Sequence, residues 1–150
     1  MVDTRALGAL GTPFEFVVEH GKLAEFTRAI KTHHGAYTGE HAVVPPTFLT
    51  TMFHWERAVD ESNPWHRVQM DKQRGMHAEQ EYIFHGPPPQ IGDRLTAVSR
   101  IDRIFEKQGR RGGSLTFVIM VTDFRRSDGT LVAEAKMTAV ETGQAPEATS

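Results

Sequence analysis

The chain has 150 residues, a formal net charge of −2, 39% apolar residues and 24% charged residues. This length suits one hydrophobic core, so we expect a single domain over residues 1–150. The near-neutral charge argues against a nucleic-acid-binding protein, whose surface is typically strongly basic. Without cysteine, the chain can form no disulfide, thiolate nucleophile or cysteine-ligated zinc site.

The sequence predicts neither a signal peptide nor a membrane span. Residues 1–12 lack the basic and then apolar pattern of a signal peptide, and no run of eighteen apolar residues could span a membrane. We therefore expect a cytoplasmic protein without a membrane span. Residues 2–13 and 143–150 are rich in small or polar residues, so we expect loose termini around a core of about 14–142.

The first half of the chain predicts one short strand and two helices. Residues 14–18 are mostly aromatic and β-branched, which favours a strand. Residues 21–31 have apolar side chains at spacings of three and four, which favours a helix, and a loop follows over 32–46. A second helix is predicted over 47–59, and it is more apolar than the first. Its apolar stripe of Phe48, Met52, Trp55 and Val59 is widened by Leu49 and Phe53.

The second half predicts four strands after a polar connection over residues 60–75. The strands cover 78–84, 94–105, 115–124 and 131–140, and the last three should form an antiparallel meander joined by tight turns. One face of the second of these strands should carry Leu95, Ala97, Ile101 and Phe105. The apolar second helix needs a sheet to cover it, so the fold class is α+β, with a curved antiparallel sheet around a central helix.

Six short segments carry a family resemblance: Phe-Glu-Phe-Val-Val-Glu (14–19), Gly-Lys-Leu-Ala-Glu-Phe (21–26), Val-Pro-Pro-Thr-Phe (44–48), His-Ala-Glu-Gln-Glu-Tyr (77–82), Ile-Gly-Asp-Arg-Leu (91–95) and Gly-Arg-Arg-Gly-Gly (109–113). Together they resemble the MaoC-like dehydratases, in particular the N-terminal hot-dog domain of that family. The order of elements is the one found in hot-dog folds, and the resemblance covers roughly residues 14–142.

The resemblance implies a chemistry and a kind of assembly. MaoC-like dehydratases hydrate 2-enoyl thioesters, or dehydrate 3-hydroxyacyl thioesters, carried on CoA or on acyl carrier protein. The implied ligand is therefore an acyl-CoA or acyl-ACP thioester, and neither a cofactor nor a metal is implied. Relatives include a mycobacterial (3R)-hydroxyacyl-ACP dehydratase, in which a catalytic and a non-catalytic hot-dog subunit pair.

The segment that should carry the catalytic dyad departs from the family pattern. Catalytic halves have Asp-x-Asn-Pro-x-His just before the central helix, because an acid–base pair must hold the water that is added or removed. Here residues 33–39 are His-His-Gly-Ala-Tyr-Thr-Gly, so His33 and His34 are only weak catalytic candidates. The resemblance then implies a non-catalytic subunit that pairs with a catalytic MaoC-like chain, or a homodimer.

Other residues are candidates for binding. The apolar stripe of the second helix could line an acyl pocket or form plain core, and the two interpretations overlap. Arg110 and Arg111 could meet a CoA or carrier phosphate, although a solvated hairpin turn is the favoured interpretation. The substrate-binding candidates are Tyr37, Thr47, Phe48, Met52, Phe53 and Trp55.

Two alternatives remain open on the sequence. The chain could be a self-sufficient homodimeric hot-dog thioesterase or a divergent enoyl-CoA hydratase. A thioesterase of this fold usually needs a carboxylate near the helix entrance, and Glu40 is the nearby one. A binding or structural module without turnover is the other alternative.

Overall fold

Five strands form one antiparallel sheet. The computed structural model describes residues 1–56, 63–109 and 113–143. Within these residues the strand order is β1-β3-β4-β5-β2, and β3, β4 and β5 form the predicted meander. The strands are β1 (Phe14–Val17), β2 (Gly75–Phe84), β3 (Arg94–Gln108), β4 (Ser114–Arg125) and β5 (Leu131–Thr142).

The predicted second helix is split into two kinds of helix. A 3-10 helix, Phe48–Met52, runs directly into α2, Phe53–Glu56, and we call the two together the central segment. Thr50 and Thr51 lie in its first part, and β-branched residues disfavour the α-helix. The remainder of the predicted helix lies outside the described residues. The other long helix is α1, His20–Ala29, and no helix in the described parts of the chain could span a membrane.

The central segment packs on the inner face of the sheet through aromatic rings. Phe16 on β1 lies between Phe48 and Phe124, with ring centroids 6.1 Å and 5.3 Å away. Phe26 of α1 meets the other side of Phe48 at 5.4 Å. Edge-to-face pairs at these distances add to the stabilisation that burial gives. An antiparallel sheet that packs one face on a central helical segment confirms the predicted α+β hot-dog fold.

A bulge in β3 changes which residues share a face. The register with β4 shifts between Ile101 and Arg103, and a bulge reverses the alternation of side chains beyond it. Ile104 consequently joins the inner face, whereas Phe105 lies on the outer face and stacks on Phe117 at 5.2 Å. The prediction that Phe105 shares a face with Ile101 is therefore wrong.

The N-terminal segment differs from the expected loose end. Backbone hydrogen bonds join Gly8 N–H to the Ile101 carbonyl at 2.9 Å and Gly11 N–H to the Ser99 carbonyl at 2.8 Å. Val2 and Ala6 are buried in a second, smaller core cluster. The segment covers the part of β3 that lies beyond the short strand β1, and small apolar residues suit such close packing. This cluster also contains Val68, Ile101, Val118 and Met120.

Charge introduced at position 6 should destabilise the fold much more than charge introduced at position 7. Ala6 is 3% exposed and Leu7 is 55% exposed. Because Ala6→Glu places a carboxylate in an apolar cluster, we expect it to lower the free energy of unfolding by about 2 kcal/mol or more. Leu7→Glu should change it by only about 0.5 kcal/mol. Urea denaturation compares the two, and equal losses would show that the segment does not pack as described.

Candidate functional site

The loop that matches the family's catalytic segment uses its polar side chains for its own turn. Residues Gly35–Tyr37 form a 3-10 turn, and Nδ1 of His34 accepts a hydrogen bond from the Ala36 N–H at 3.2 Å. The His34 ring lies 5.2 Å from the Tyr37 ring, and the Thr38 hydroxyl donates to the Gly35 carbonyl at 3.1 Å. These side chains therefore hold the turn together.

The structure brings a histidine and a carboxylate together elsewhere. Within the described ranges, no ion pair joins His33 or His34 to an acidic side chain. Instead Nε2 of His85 lies 2.7 Å from one carboxylate oxygen of Glu134. The other oxygen of Glu134 lies 3.9 Å from the guanidinium of Arg100. Because β-strand side chains alternate, Glu134 is on the face opposite its neighbours Ala133 and Ala135, which are in the core. This pair lies on the outer face of the sheet.

An open groove runs along β2 on the inner face of the sheet. Two adjoining cavities of about 580 Å³ and about 530 Å³ share Phe53, His77 and Met137 in their walls, and we call them together the edge groove. In the described residues, β2 pairs with β5 on one side and with no strand on the other. The groove therefore follows the free edge of the sheet. Its further apolar residues include Trp65, Met70, Met76 and Met120.

The predicted substrate-binding residues divide between the groove and the core. Thr47 and Phe53 line the edge groove, and Phe53 is 38% exposed. Phe48 and Met52 are fully buried core residues, and Trp55 is half-buried with its ring 5.2 Å from that of Phe16.

The remaining candidates lie away from the edge groove or outside the described residues. Tyr37 lines a separate cavity of about 140 Å³ between α1 and the loop that follows it. Glu40 is exposed on that loop. Arg110 and Arg111, the candidates for phosphate binding, lie outside the described residues.

The groove residues in the connection between the central segment and β2 are not among the residues predicted from the sequence. Trp65 belongs to a 3-10 helix, Pro64–Val68, which Asn63 caps. The side-chain oxygen of Asn63 accepts a hydrogen bond from the Trp65 N–H at 2.8 Å. Pro at the start of a helix and Asn before it are standard signals, and they could have predicted this element. Met120 and Met137 are opposite each other in the register of β4 and β5.

A buried carboxylate fixes the wall of the groove that residues 69–75 form. Glu141 on β5 is 3% exposed, and it accepts a hydrogen bond from the Asp71 N–H at 2.8 Å. Arg74 lies 3.1 Å from Glu141 and 2.9 Å from Asp71, so one guanidinium joins both carboxylates. A buried carboxylate is stable only with such partners, and these partners tie the wall to the sheet.

A second buried carboxyl group lies between the central segment and the sheet. The Ser99 hydroxyl donates to one oxygen of Glu56 at 3.2 Å, and Ser99 lies 2.8 Å from the Thr122 hydroxyl. The other oxygen of Glu56 has no hydrogen-bond partner in the described structure. Burial raises the pKa of Glu56, and hydrogen bonds from Ser99 and Asn63 oppose that rise in part. No group of three or more described histidine or acidic residues could hold a metal ion.

The stability of the fold should therefore depend on pH through Glu56. Because its pKa is raised above the ordinary value of 4.5, the folded state keeps this proton after the unfolded chain has released it. The stabilising contribution is complete below pH 4.5 and is lost as the pH rises through the folded pKa. The Glu56→Gln side chain stays neutral at every pH. The free energy of unfolding of this variant should therefore increase relative to that of wild type as the pH rises above 4.5.

Denaturant titrations at several pH values test this prediction. The control is Glu40→Gln, which changes an exposed glutamate and should give a curve parallel to that of wild type. Parallel curves for Glu56→Gln and wild type would show that Glu56 is not held protonated by burial.

The antiparallel sheet, the central segment and the edge groove define the class as that of hot-dog, dehydratase-like proteins. A family model described as "FAS1-like, dehydratase domain region" matches residues 5–135, and the chain belongs to this family. It is 31% identical over 137 residues to a UPF0336 protein of Mycobacterium leprae, covering 82% of this chain and 75% of that protein.

Solved structures agree with this assignment. A chain of the C-terminally truncated HadBC complex, a (3R)-hydroxyacyl-ACP dehydratase of Mycobacterium tuberculosis, is 27% identical with a TM-score of 0.68; the match covers 90% of this chain and 96% of that chain. A chain of the ChsH1–ChsH2 complex of the same organism shares the fold, with 14% identity and a TM-score of 0.70, covering 95% of this chain and 89% of that chain. The resemblance to MaoC-like dehydratases is thus confirmed.

Proposed function

We propose that this chain is a single-domain, cytoplasmic, non-catalytic subunit of a heteromeric (R)-specific 2-enoyl-thioester hydratase or 3-hydroxyacyl-thioester dehydratase. Its task is to bind the acyl part of an acyl-CoA or acyl-ACP thioester. A second hot-dog subunit, which carries the Asp and His of the family, supplies the chemistry.

One observation carries the proposal: in the segment 33–39, which matches the family's dyad segment, polar side chains bond within their own turn. His34 accepts from the Ala36 N–H, and Thr38 donates to the Gly35 carbonyl. Addition of water to an enoyl thioester needs a base for the water proton and an acid for the α carbon. A His34 nitrogen that is engaged with the backbone, and that forms no ion pair with an acidic side chain of the described residues, is poorly suited to that task. A partner subunit with the dyad would meet the requirement.

The free edge of β2 is a suitable place for such a partner. An edge strand presents unpaired N–H and C=O groups, and another strand can pair with them. Because the edge groove follows the same strand, a partner bound there would also close the groove. The heteromeric HadBC complex, whose chain is 27% identical to this one, supports this kind of assembly.

The walls of the groove suit an acyl chain. Phe53, Trp65 and the methionines at 70, 76, 120 and 137 offer an apolar surface of the size that small-molecule sites usually have. Methionine side chains are flexible and adapt to ligands of varied shape. Polar groups of His66 and His77 in the same walls could bind the thioester end of the ligand.

Reconstitution tests the proposal. The purified chain alone should hydrate crotonyl-CoA no faster than the buffer control. When it is coexpressed with a hot-dog chain that carries Asp-x-Asn-Pro-x-His, the two should copurify, and the complex should be active. Rates typical of the family for the isolated chain would contradict the non-catalytic role.

Substitution of His33, one of the two weak catalytic candidates, should not change the activity of that complex. We expect His33→Ala to leave kcat unchanged within about twofold, since removal of a general acid or base costs about 100-fold or more. Substitution of the partner's dyad histidine is the positive control. A 100-fold loss with His33→Ala would assign the chemistry to this chain. Thioester hydrolysis that disappears with Glu40→Ala would favour the thioesterase alternative.

A further inference from the structure

Gly75 is the point where the wall of the edge groove approaches the sheet most tightly. A Cβ atom on this residue would lie 2.7 Å from Sδ of Met70, 2.8 Å from its Cγ and 2.9 Å from the Asp71 carbonyl oxygen. Contacts under 3.0 Å are essentially never seen for real Cβ atoms, so an alanine here requires something to move. The requirement for glycine is one of space, since no positive φ is recorded at this position.

The backbone beside Gly75 is held firmly, so a Cβ at this position displaces mainly the flexible Met70 side chain, together with a smaller shift at the Asp71 carbonyl oxygen 2.9 Å away. The Gly75 N–H donates to the Asp71 carbonyl at 2.7 Å, and the Arg74 N–H donates to the same oxygen at 3.1 Å. The buried Glu141 binds the Asp71 N–H and Arg74. The Met70 side chain is unbranched and adaptable. Because Met70 lines the edge groove and Gly75 lies against it, the space available to a displaced Met70 is the groove itself.

We propose that Met70, which packs against Gly75, sets the length or bulk of the acyl chain that the edge groove admits. The inference rests on the proposed function and adds a specificity-determining pair to it. Gly75 lets Met70 lie back against β2 and leaves the groove deep. A larger residue at 75 pushes Met70 forward and makes the groove shallower, whereas a smaller residue at 70 makes the groove deeper.

The role of Met70 and Gly75 in chain-length specificity is tested by measuring the binding of acyl-CoA thioesters of different chain length. Butyryl-CoA, octanoyl-CoA and palmitoyl-CoA are titrated by calorimetry into the full chain, alone and in the reconstituted complex. Gly75→Ala should weaken palmitoyl-CoA binding about tenfold or more while it changes butyryl-CoA binding much less, since loss of even one methylene contact costs about tenfold or more. Met70→Ala should strengthen palmitoyl-CoA binding. Met70→Ala/Gly75→Ala keeps only the contact with the Asp71 carbonyl oxygen, so it should recover part of the affinity that Gly75→Ala loses.

The controls separate specificity from folding. Gly86→Ala adds a methyl group at a glycine with open space around it, and it should leave all three affinities unchanged. Retained butyryl-CoA binding shows that Gly75→Ala is folded, and Met70→Ala tests the groove without any clash. A ratio of palmitoyl-CoA to butyryl-CoA affinity that is the same in wild type and all variants would overturn the inference. Failure of wild type to bind any of the three would overturn the proposed function itself.

Discussion

The packing of the central segment on the inner face of the sheet decides the rest of the structure. Phe48 is fully buried, and rings from α1 and β1 contact it on two sides. Since a segment of two helix types has little stability of its own, tertiary packing has to hold it. Once Phe48 faces the sheet, Phe53, five residues later, is placed where the sheet ends, and it becomes a wall of the edge groove. The aromatic core and the candidate site are thus parts of one packing arrangement.

Local patterns predicted the sheet well, because its strands depend on alternation and on tight turns. The meander of β3, β4 and β5 follows from residues close in sequence. The bulge between Ile101 and Arg103 could not be predicted in this way, because the alternation of side chains carries no sign of the extra residue. The face on which Phe105 lies depends on the pairing of β3 with β4. The N-terminal segment is a similar case: its small residues look unstructured alone, and the carbonyl groups of β3 give them hydrogen-bond partners.

The candidate site was harder to predict than the fold because its walls come from distant parts of the chain. The wall over residues 69–75 reads as a polar connection, yet Glu141 holds it from 70 residues away. A polar sequence is what such a wall requires, because Asp71 and Arg74 must satisfy a buried carboxylate. Hydrophobic periodicity identified Phe53 as an apolar residue of the central segment, but it could not distinguish Phe53 from Phe48 and Met52, which are core.

The carboxylates near the groove are already engaged, and this explains the division of labour that we propose. A general base must be free to take a proton. The hydrogen bond from the Gln73 N–H and the guanidinium of Arg74 lower the pKa of Asp71, so it accepts a proton poorly. Glu141 is committed to Arg74 and the Asp71 N–H, and Glu56 is held by Ser99 inside the core. Asp71 and Glu141 thus hold one wall of the apolar groove in place. A site built in this way is suited to bind an acyl chain and, in the division of labour that we propose, leaves water activation to another subunit.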